Sequence, residues 1–184
     1  MDPETYNIHA EIIDRCLRGE RKAYEKLYSL YAKAMYNVAL RLVKDRDEAE
    51  DVLQEAFISA FSHLASFNGN SSFGAWLKRI VINKAINTLK KRHTDPLPET
   101  LDIADDTQEN LDIGEDDLTV NRVNHALMDL PEGYRTVLTL YLMEGYDHQE
   151  IAEILNISVG TSKSQFNRAK KRLKESLTTL SYER

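Results

Sequence analysis

The chain has 184 residues, of which 42% are hydrophobic and 29% are charged, and its formal net charge is −6. This length accommodates one ordinary domain or two small ones. The sequence contains no run of about 18 apolar residues, which excludes an ordinary transmembrane helix. The N-terminus lacks the basic and apolar stretches of a secretory signal, so we expect a cytoplasmic protein.

Cysteine usage and helix-breaking residues narrow the structural class. Cys16 is the only cysteine, which excludes an internal disulfide and a cysteine-rich zinc site. Seven glycines and four prolines are few for this length, whereas Ala, Leu, Glu, Lys, Arg and Gln are abundant. This composition predicts an all-α chain.

Apolar residues at helical spacing predict three helices in the first third of the chain. The first helix carries Cys16 on its buried face and is closed by Gly19, and the second begins near Glu20. The third covers residues 45–64, with Asp47 as its expected N-cap. Its polar face, for which solvent is the default partner, carries Asp51, Gln54 and Glu55.

A basic stretch without acids follows at residues 67–93. It opens with a loop rich in Asn, Gly and Ser, which tolerate turn conformations. A fourth helix is expected from about Ser72, with Trp76 in the core rather than stacked on a base. On this helix two side-chain amides lie between two cations, an arrangement that suits a surface that binds phosphates and hydrogen-bonds to bases. They form a stripe at spacings of four, four and three: Arg79, Asn83, Asn87 and Lys90.

The acids of this chain are concentrated between residues 94 and 117. This segment holds ten acidic residues and no Lys or Arg, so the remainder of the chain has a net charge of +4. It also contains two prolines and one glycine, and its apolar residues show no period. We predict a flexible acidic linker that separates a domain at 1–93 from a domain at 118–184.

The second domain has the pattern of a helix-turn-helix. Pro131 suits the first turn of a helix, with the apolar residues Val137, Leu138, Tyr141 and Leu142 behind it. The sequence DHQE at 147–150 is a capping box that starts a short helix. A three-residue turn follows, and Ser158 caps the last helix.

The last helix is expected to separate a buried stripe from a DNA-facing surface. Its buried stripe contains Val159, Ser162, Phe166, Ala169 and Leu173. The opposite side, near the end that enters the major groove of duplex DNA in such motifs, carries Lys163, Ser164, Asn167 and Arg168. Four further cations suit phosphates or solvent: Lys170, Lys171, Arg172 and Lys174.

Three of these segments, in this order and spacing, resemble a bacterial sigma factor of the extracytoplasmic-function (ECF) type, group 4 of the sigma-70 family. The sequence DEAEDVLQEAFISAF is similar to the region 2 helix that docks on RNA polymerase. FNGNSSFGAWLKRIVINKAINTLKKR is similar to the promoter-melting segment. GYDHQEIAEILNISVGTSKSQFNRAKKRL is similar to the region 4 helix-turn-helix, although Ser162 departs from its usual apolar residue and Gln165 from its usual basic one.

The resemblance implies a two-domain helical fold and a set of binding residues. Contacts with the coiled coil of the largest polymerase subunit fall on Asp51, Gln54 and Glu55. The loop that captures a flipped base of the −10 element corresponds to Asn68, Gly69, Asn70, Ser71, Ser72 and Phe73. Contacts with the −10 strand or its edge fall on the stripe from Arg79 to Lys90, and −35 contacts fall on Lys163, Ser164, Asn167, Arg168 and Lys171.

The implied partners are core RNA polymerase, through its largest-subunit coiled coil and its flap, and promoter DNA. An anti-sigma factor, or an accessory protein that supplies DNA targeting, stays open as a further partner. No cofactor and no metal are expected. The predicted function is promoter-specific initiation, by −35 duplex recognition and by melting and capture of the −10 element.

Three other functions compete with this one. A stand-alone helix-turn-helix regulator explains residues 118–184 but leaves the 67–93 segment without a role. An enzyme is not supported, because no phosphate loop, metal-ligand spacing or nucleophile motif occurs and the five histidines are scattered. A purely helical interaction protein would leave both basic stretches as solvated helix faces.

Overall fold

The computed structural model describes residues 9–94 and 118–182 of the chain. The chain divides into two compact units, Met1–Lys90 and Lys91–Arg184. Apart from Thr94, the predicted acidic linker lies outside the described residues. The described ranges contain eight α-helices: α1 (Ala10–Leu17), α2 (Arg21–Val43), α3 (Arg46–Ser62), α4 (Phe73–Thr94), α5 (Leu118–Met128), α6 (Glu132–Leu138), α7 (His148–Leu155) and α8 (Val159–Tyr182).

The first unit is built around α2 and α3, with α1 packed against α2. Most of the apolar residues that recur every three and four positions lie inside, as the periodicity predicted, whereas Leu17 and Tyr28 are exposed. Each fully buried Leu or Ile side chain contributes roughly 1.5–3 kcal/mol by leaving water. The largest fully buried side chains of this unit are Phe73, Leu27, Leu42, Leu77 and Ile82.

Cys16 is fully buried on α1, as its helical spacing predicted. Burial raises the pKa of its thiol, so the reactive thiolate form is disfavoured at neutral pH. The neighbouring Leu17, by contrast, is exposed at the end of the helix. Cys16 is therefore a small core residue.

The N-cap of α3 differs from the one expected from the sequence. The side chain of Asp45, not of Asp47, caps the helix by accepting a hydrogen bond from the Glu48 amide at 2.8 Å. Lys44 ends α2 in the left-handed conformation, and the chain is extended again at Asp45. Asp47 lies in the first turn, where its negative charge interacts favourably with the positive end of the helix dipole.

The second unit has its core between α5, α6 and α8. Leu127, Leu130, Leu138 and Ala169 are buried together, with Tyr134, Phe166 and Leu173 packed against them. The predicted capping box is present at the start of α7: Asp147 accepts from the amide of Glu150, whose carboxylate accepts from the Asp147 amide. Asn156, in the left-handed conformation, ends α7.

A wide helical turn at Thr139–Met143 overturns one expectation about the core. Here α6 continues as a π-helix, in which the Glu144 amide donates to the Thr139 carbonyl at 3.1 Å. The extra residue in this turn shifts the register of the apolar face of the helix. Of the four apolar residues predicted to follow Pro131, Val137 and Leu138 are buried, whereas Tyr141 and Leu142 are 37% and 57% exposed.

Candidate nucleic-acid interface

The polar stripe of α4 lies on the surface of the first unit. The helix buries its opposite side in the core through Leu77, Val81 and Ile82, followed by Ala85, Ile86 and Leu89. This packing fixes the rotation of the helix. The four residues predicted to contact the −10 strand are all exposed along one face: Arg79, Asn83, Asn87 and Lys90.

The loop before α4 is held by its own hydrogen bonds. The side chain of Asn68 accepts from the amide of Asn70 at 3.1 Å, which forms an Asx turn around Gly69. Gly69 has a φ of 75°, a conformation that glycine adopts without strain. Ser72 caps α4 by accepting from the Ala75 amide at 3.1 Å. The amide side chains of Asn68 and Asn70 are thereby displayed on a preorganised turn, and both residues are exposed.

Phe73 is placed differently from the rest of the loop. It is only 1% exposed, so its ring offers no surface to a base in this structure. It packs against Phe67 and Trp76, with ring centroids 5.7 and 5.6 Å apart. Trp76 is half-buried in the same cluster, in agreement with its predicted core role. These aromatic residues support the loop from below.

The acidic face of α3 is exposed at Asp51, Gln54 and Glu55. One carboxylate oxygen of Glu55 lies 3.1 Å from the ammonium of Lys84 on α4, so this ion pair joins the polar faces of two helices. Both side chains are substantially exposed, and such pairs contribute at most about 1 kcal/mol. The pair spans 29 positions in the chain, which is why local sequence patterns could not reveal it.

On α8, the residues predicted to contact the −35 element are all exposed. Ser158 caps the helix by accepting from the Thr161 amide at 2.9 Å, which fixes where the helix starts. The exposed residues lie between positions 163 and 171: Lys163, Ser164, Asn167, Arg168 and Lys171. This end of the helix can therefore present amide, hydroxyl and cationic groups to base edges and phosphates.

A partly buried hydrogen bond joins α7 to α8. Ser162 is fully buried, and its hydroxyl lies 3.0 Å from the Nδ1 atom of His148. The imidazole also stacks on Tyr141, with centroids 4.7 Å apart, and meets Phe166 edge-on. The serine that departs from the apolar pattern thus has a polar partner. The two helices of the helix-turn-helix are held by this bond as well as by apolar contacts.

Arg135 is a buried cation in the second unit. Its guanidinium donates to the Leu130 carbonyl at 3.0 Å, across the turn between α5 and α6. Burial lowers its pKa from the usual arginine value, although the residue stays charged at neutral pH. Arg135 therefore stabilises the loop that orients α6 and does not serve as a DNA contact.

Within 9–94 and 118–182, no three His, Cys, Asp or Glu side chains are grouped so that they could hold a metal ion. None of the helices in those ranges is long and apolar enough to span a membrane.

Two family models match the chain. Sigma-70 region 2 matches residues 27–94, which include α3, the loop and α4. Sigma-70 region 4 matches residues 121–173, which include the helix-turn-helix.

Relatives of known function match nearly the whole chain. The RNA polymerase sigma-H factor of Pseudomonas aeruginosa is 34% identical, over 92% of this chain and 94% of its own length. The ECF RNA polymerase sigma-E factor of Haemophilus influenzae is 32% identical, over 92% and 95%. The ECF sigma factor SigW of Bacillus subtilis is 31% identical, over 91% and 96%.

Solved structures show the same fold. The sigma factor RpoE, in complex with the anti-sigma factor NepR from Bartonella quintana, aligns with a TM-score of 0.58 and 26% identity, over 85% of this chain and 98% of that chain. CnrH, in complex with the cytosolic domain of CnrY, aligns with a TM-score of 0.51 and 22% identity, over 91% and 96%.

Proposed function

The chain belongs to the extracytoplasmic-function sigma factors of the sigma-70 family, and we propose that its two helical units bind core RNA polymerase and two separate promoter elements through the surfaces described above. Residues 1–93 form the region 2 domain in this proposal, residues 94–117 form the acidic linker, and residues 118–184 form the region 4 domain. The protein is a transcription initiation factor that selects promoters.

The −10 element is assigned to the loop and the polar stripe of α4. The loop from Asn68 to Ser72 offers preorganised amide and hydroxyl groups, and holding one base out of the stack costs only a few kcal/mol. Asn83 and Asn87 hydrogen-bond to exposed bases, while Arg79 and Lys90 neutralise phosphates at either end. Phe73 acts from the core, as a support of the loop.

The −35 element is assigned to the N-terminal half of α8. Arg168 and Lys163 carry donors that suit guanine, and Asn167 carries the amide that suits adenine. Ser164 is exposed beside them, and Lys171, one turn further on, contacts a phosphate.

In this proposal core polymerase is bound by two surfaces of the chain that differ in chemistry. The acidic face of α3, comprising Asp51, Gln54 and Glu55, binds the coiled coil of the largest subunit. The flap is assigned to the exposed apolar trio Tyr141, Leu142 and Met143 on the π turn. Three consecutive large apolar residues that are 37–57% exposed are unusual for a surface that remains in water.

An anti-sigma factor is a further partner in this proposal. The related RpoE is seen in complex with an anti-sigma factor, and it is structurally similar to this chain over most of its length. Such a partner would cover the polymerase-binding surfaces. We infer a cytoplasmic site of action, because promoter DNA and core polymerase are found there. No catalytic step is assigned to the protein itself.

One observation favours a sigma factor over a stand-alone DNA-binding regulator. The first unit exposes an amide-bearing polar stripe and a preorganised loop, both well separated in sequence from the helix-turn-helix. A regulator that needs only duplex recognition has no use for them. A sigma factor uses such a surface to hold melted DNA.

Run-off transcription tests the proposed function. Purified core polymerase is supplied with the protein, or with buffer alone, on a library of random upstream DNA. We expect discrete, protein-dependent start sites preceded by two spaced sequence motifs. Sequence-specific DNA binding by the protein alone, with no protein-dependent transcripts, would establish the stand-alone regulator instead.

A further inference from the structure

An aromatic chain of contacts runs from α1 to the base of the −10 loop. The Nδ1 atom of His9 lies 2.9 Å from the hydroxyl of Tyr31, and the two rings meet edge-on with centroids 5.5 Å apart. The ring of Tyr31 in turn meets Phe73 edge-on, with centroids 5.2 Å apart. Burial raises the pKa of Tyr31, so its hydroxyl stays protonated and available for the bond to His9. Tyr31 on α2 is thus held from one side by His9 and from the other by Phe73.

The same tyrosine fixes the first turn of α4 by close contact. A Cβ atom added at Gly74 would lie 2.9 Å from the Cε1 atom of Tyr31, closer than real Cβ atoms approach other atoms. The atom that it would meet belongs to a rigid ring that His9 and Phe73 restrain, so the ring has little freedom to move away. Glycine at position 74 therefore allows α4 to start directly against Tyr31.

Both ends of the loop converge on this contact. Phe67 precedes the loop and Phe73 follows it, and their rings pack edge-on with centroids 5.7 Å apart. Trp76 packs against both rings, at 5.4 and 5.6 Å. The loop is thereby closed on an aromatic base, and Tyr31 is the residue that connects this base to α1 and α2.

We propose that Tyr31 is a positioning residue for −10 recognition: through Phe73 and Gly74 it sets the position of the Asn68–Ser72 loop, and so the discrimination among bases that this loop contacts. The proposal rests on the base-capturing role assigned to the loop above. Tyr31 itself contacts no DNA in this arrangement. Its effect is transmitted by the fixed start of α4.

Two substitutions perturb the contact in different ways. Gly74→Ala places a methyl group against the ring, so the start of α4 and the loop must shift. We expect discrimination at the base contacted by the loop to fall about tenfold, since misplacing a positioned group by an ångström costs up to about 10²-fold. Tyr31→Phe keeps the ring and removes only the bond to His9, for which we expect a loss of about threefold, the size of one hydrogen bond.

Discrimination is measured with holoenzyme assembled from core polymerase and the full chain. Run-off transcription is compared on promoters that carry each of the four bases at every −10 position. Asn70→Ala first identifies the position that the loop contacts, because this exposed amide lies on the loop itself. The expected result is that Gly74→Ala and Tyr31→Phe lose discrimination at this same position and keep it elsewhere in the −10 element.

A spectroscopic readout monitors the loop base independently of transcription. Trp76 is the only tryptophan of the chain, so its fluorescence reports on this cluster alone. Gly74→Ala should shift its emission to longer wavelength as the packing against Phe73 loosens. Matched controls are Gly133→Ala, where an added Cβ meets only ordinary contacts, and Tyr28→Phe, one turn earlier on α2. Neither control should alter the emission or the base preference.

The outcomes separate the inference from the proposed function. If Gly74→Ala and Tyr31→Phe reduce transcription from all promoters by one common factor, or change nothing, Tyr31 is merely structural and the inference is wrong. If Asn70→Ala alters the preference at no position, the loop does not capture a base. The role proposed for the loop then fails, and the inference fails with it.

Discussion

At the scale of single residues, Asn83 tests the proposed assignment of the −10 element to α4. Its amide is exposed on α4, in the middle of the polar stripe. We expect Asn83→Ala to slow open-complex formation about tenfold while duplex binding by the holoenzyme changes little, because one amide–base contact contributes roughly 1–3 kcal/mol. Permanganate footprinting of melted thymines measures the first quantity, and filter binding to duplex measures the second.

The control for this substitution is Gln149→Ala, which removes an exposed amide of α7 that lies outside both proposed DNA surfaces. It should leave both quantities unchanged. Equal losses in melting and duplex binding for Asn83→Ala would show that the residue does not act on the separated strand.

Arg168 tests the −35 assignment. Its exposed guanidinium on α8 can donate two hydrogen bonds to one guanine, so Arg168→Ala should lose about 1–3 kcal/mol of discrimination at one base pair. Binding of holoenzyme to −35 variants, measured at fixed salt, gives this value. Lys171→Ala, one turn further on, is the comparison. It should weaken all sequences equally and lower the salt dependence by about one phosphate contact. A uniform loss for Arg168→Ala would make that residue a phosphate contact too.

At the scale of elements, α3 presents the face assigned to core polymerase. Reversing one charge, as in Asp51→Lys, should weaken binding to core at least about tenfold, because like charges across an interface cost several kcal/mol. Glu25→Lys makes the same charge change at an exposed site on α2. Competition between labelled wild-type chain and each variant for core polymerase measures the difference. Equal affinities of the two variants for core polymerase would show that the acidic face of α3 is not part of the interface.

The π turn after α6 contains a polar group without a partner. Thr139 is fully buried, and its hydroxyl makes no hydrogen bond in the described structure. Thr139→Val keeps the shape of the side chain and removes the unsatisfied hydroxyl, so the free energy of unfolding should rise by about 1 kcal/mol. Urea denaturation followed by circular dichroism checks this. Thr178→Val is the control, because that hydroxyl is exposed and bonds to the Lys174 carbonyl. Destabilisation by Thr139→Val would mean that the hydroxyl has a partner after all.

These elements also show where sequence patterns succeed. Capping residues act within three positions, so Asp147 and Ser158 could be recognised from spacing alone. Even at this range, two acids close together produced the wrong choice between Asp45 and Asp47. The π turn lies inside a run of apolar residues, and the residue types in such a run do not distinguish a π turn from an α-helical turn. The contacts of Tyr31 with His9 and Gly74 join residues far apart in the chain, so no local period could predict them.

At the scale of the whole molecule, the acids of residues 94–117 mask the positive charge of the rest. Replacing all ten by Asn or Gln changes the formal net charge from −6 to +4. Free protein should then bind non-specific duplex DNA more tightly, with a steeper dependence on salt, because phosphate contacts release counterions. Fluorescence anisotropy of a labelled duplex across a salt series measures both effects. Unchanged affinity would mean that the acids do not act on DNA binding through charge.

The widened turn at Thr139–Met143 has a consequence for how this protein tolerates changes in length. A π turn holds one residue more than the α-helical turn that it replaces. Deleting a single residue there would restore ordinary helical spacing instead of breaking the helix. Each residue turns an α-helix by about 100°, so the deletion would swing Leu142 from solvent towards the core. The exposure of the apolar trio therefore depends on the number of residues in this turn. A chain one residue shorter at this point could fold normally and yet lose its hydrophobic contact surface.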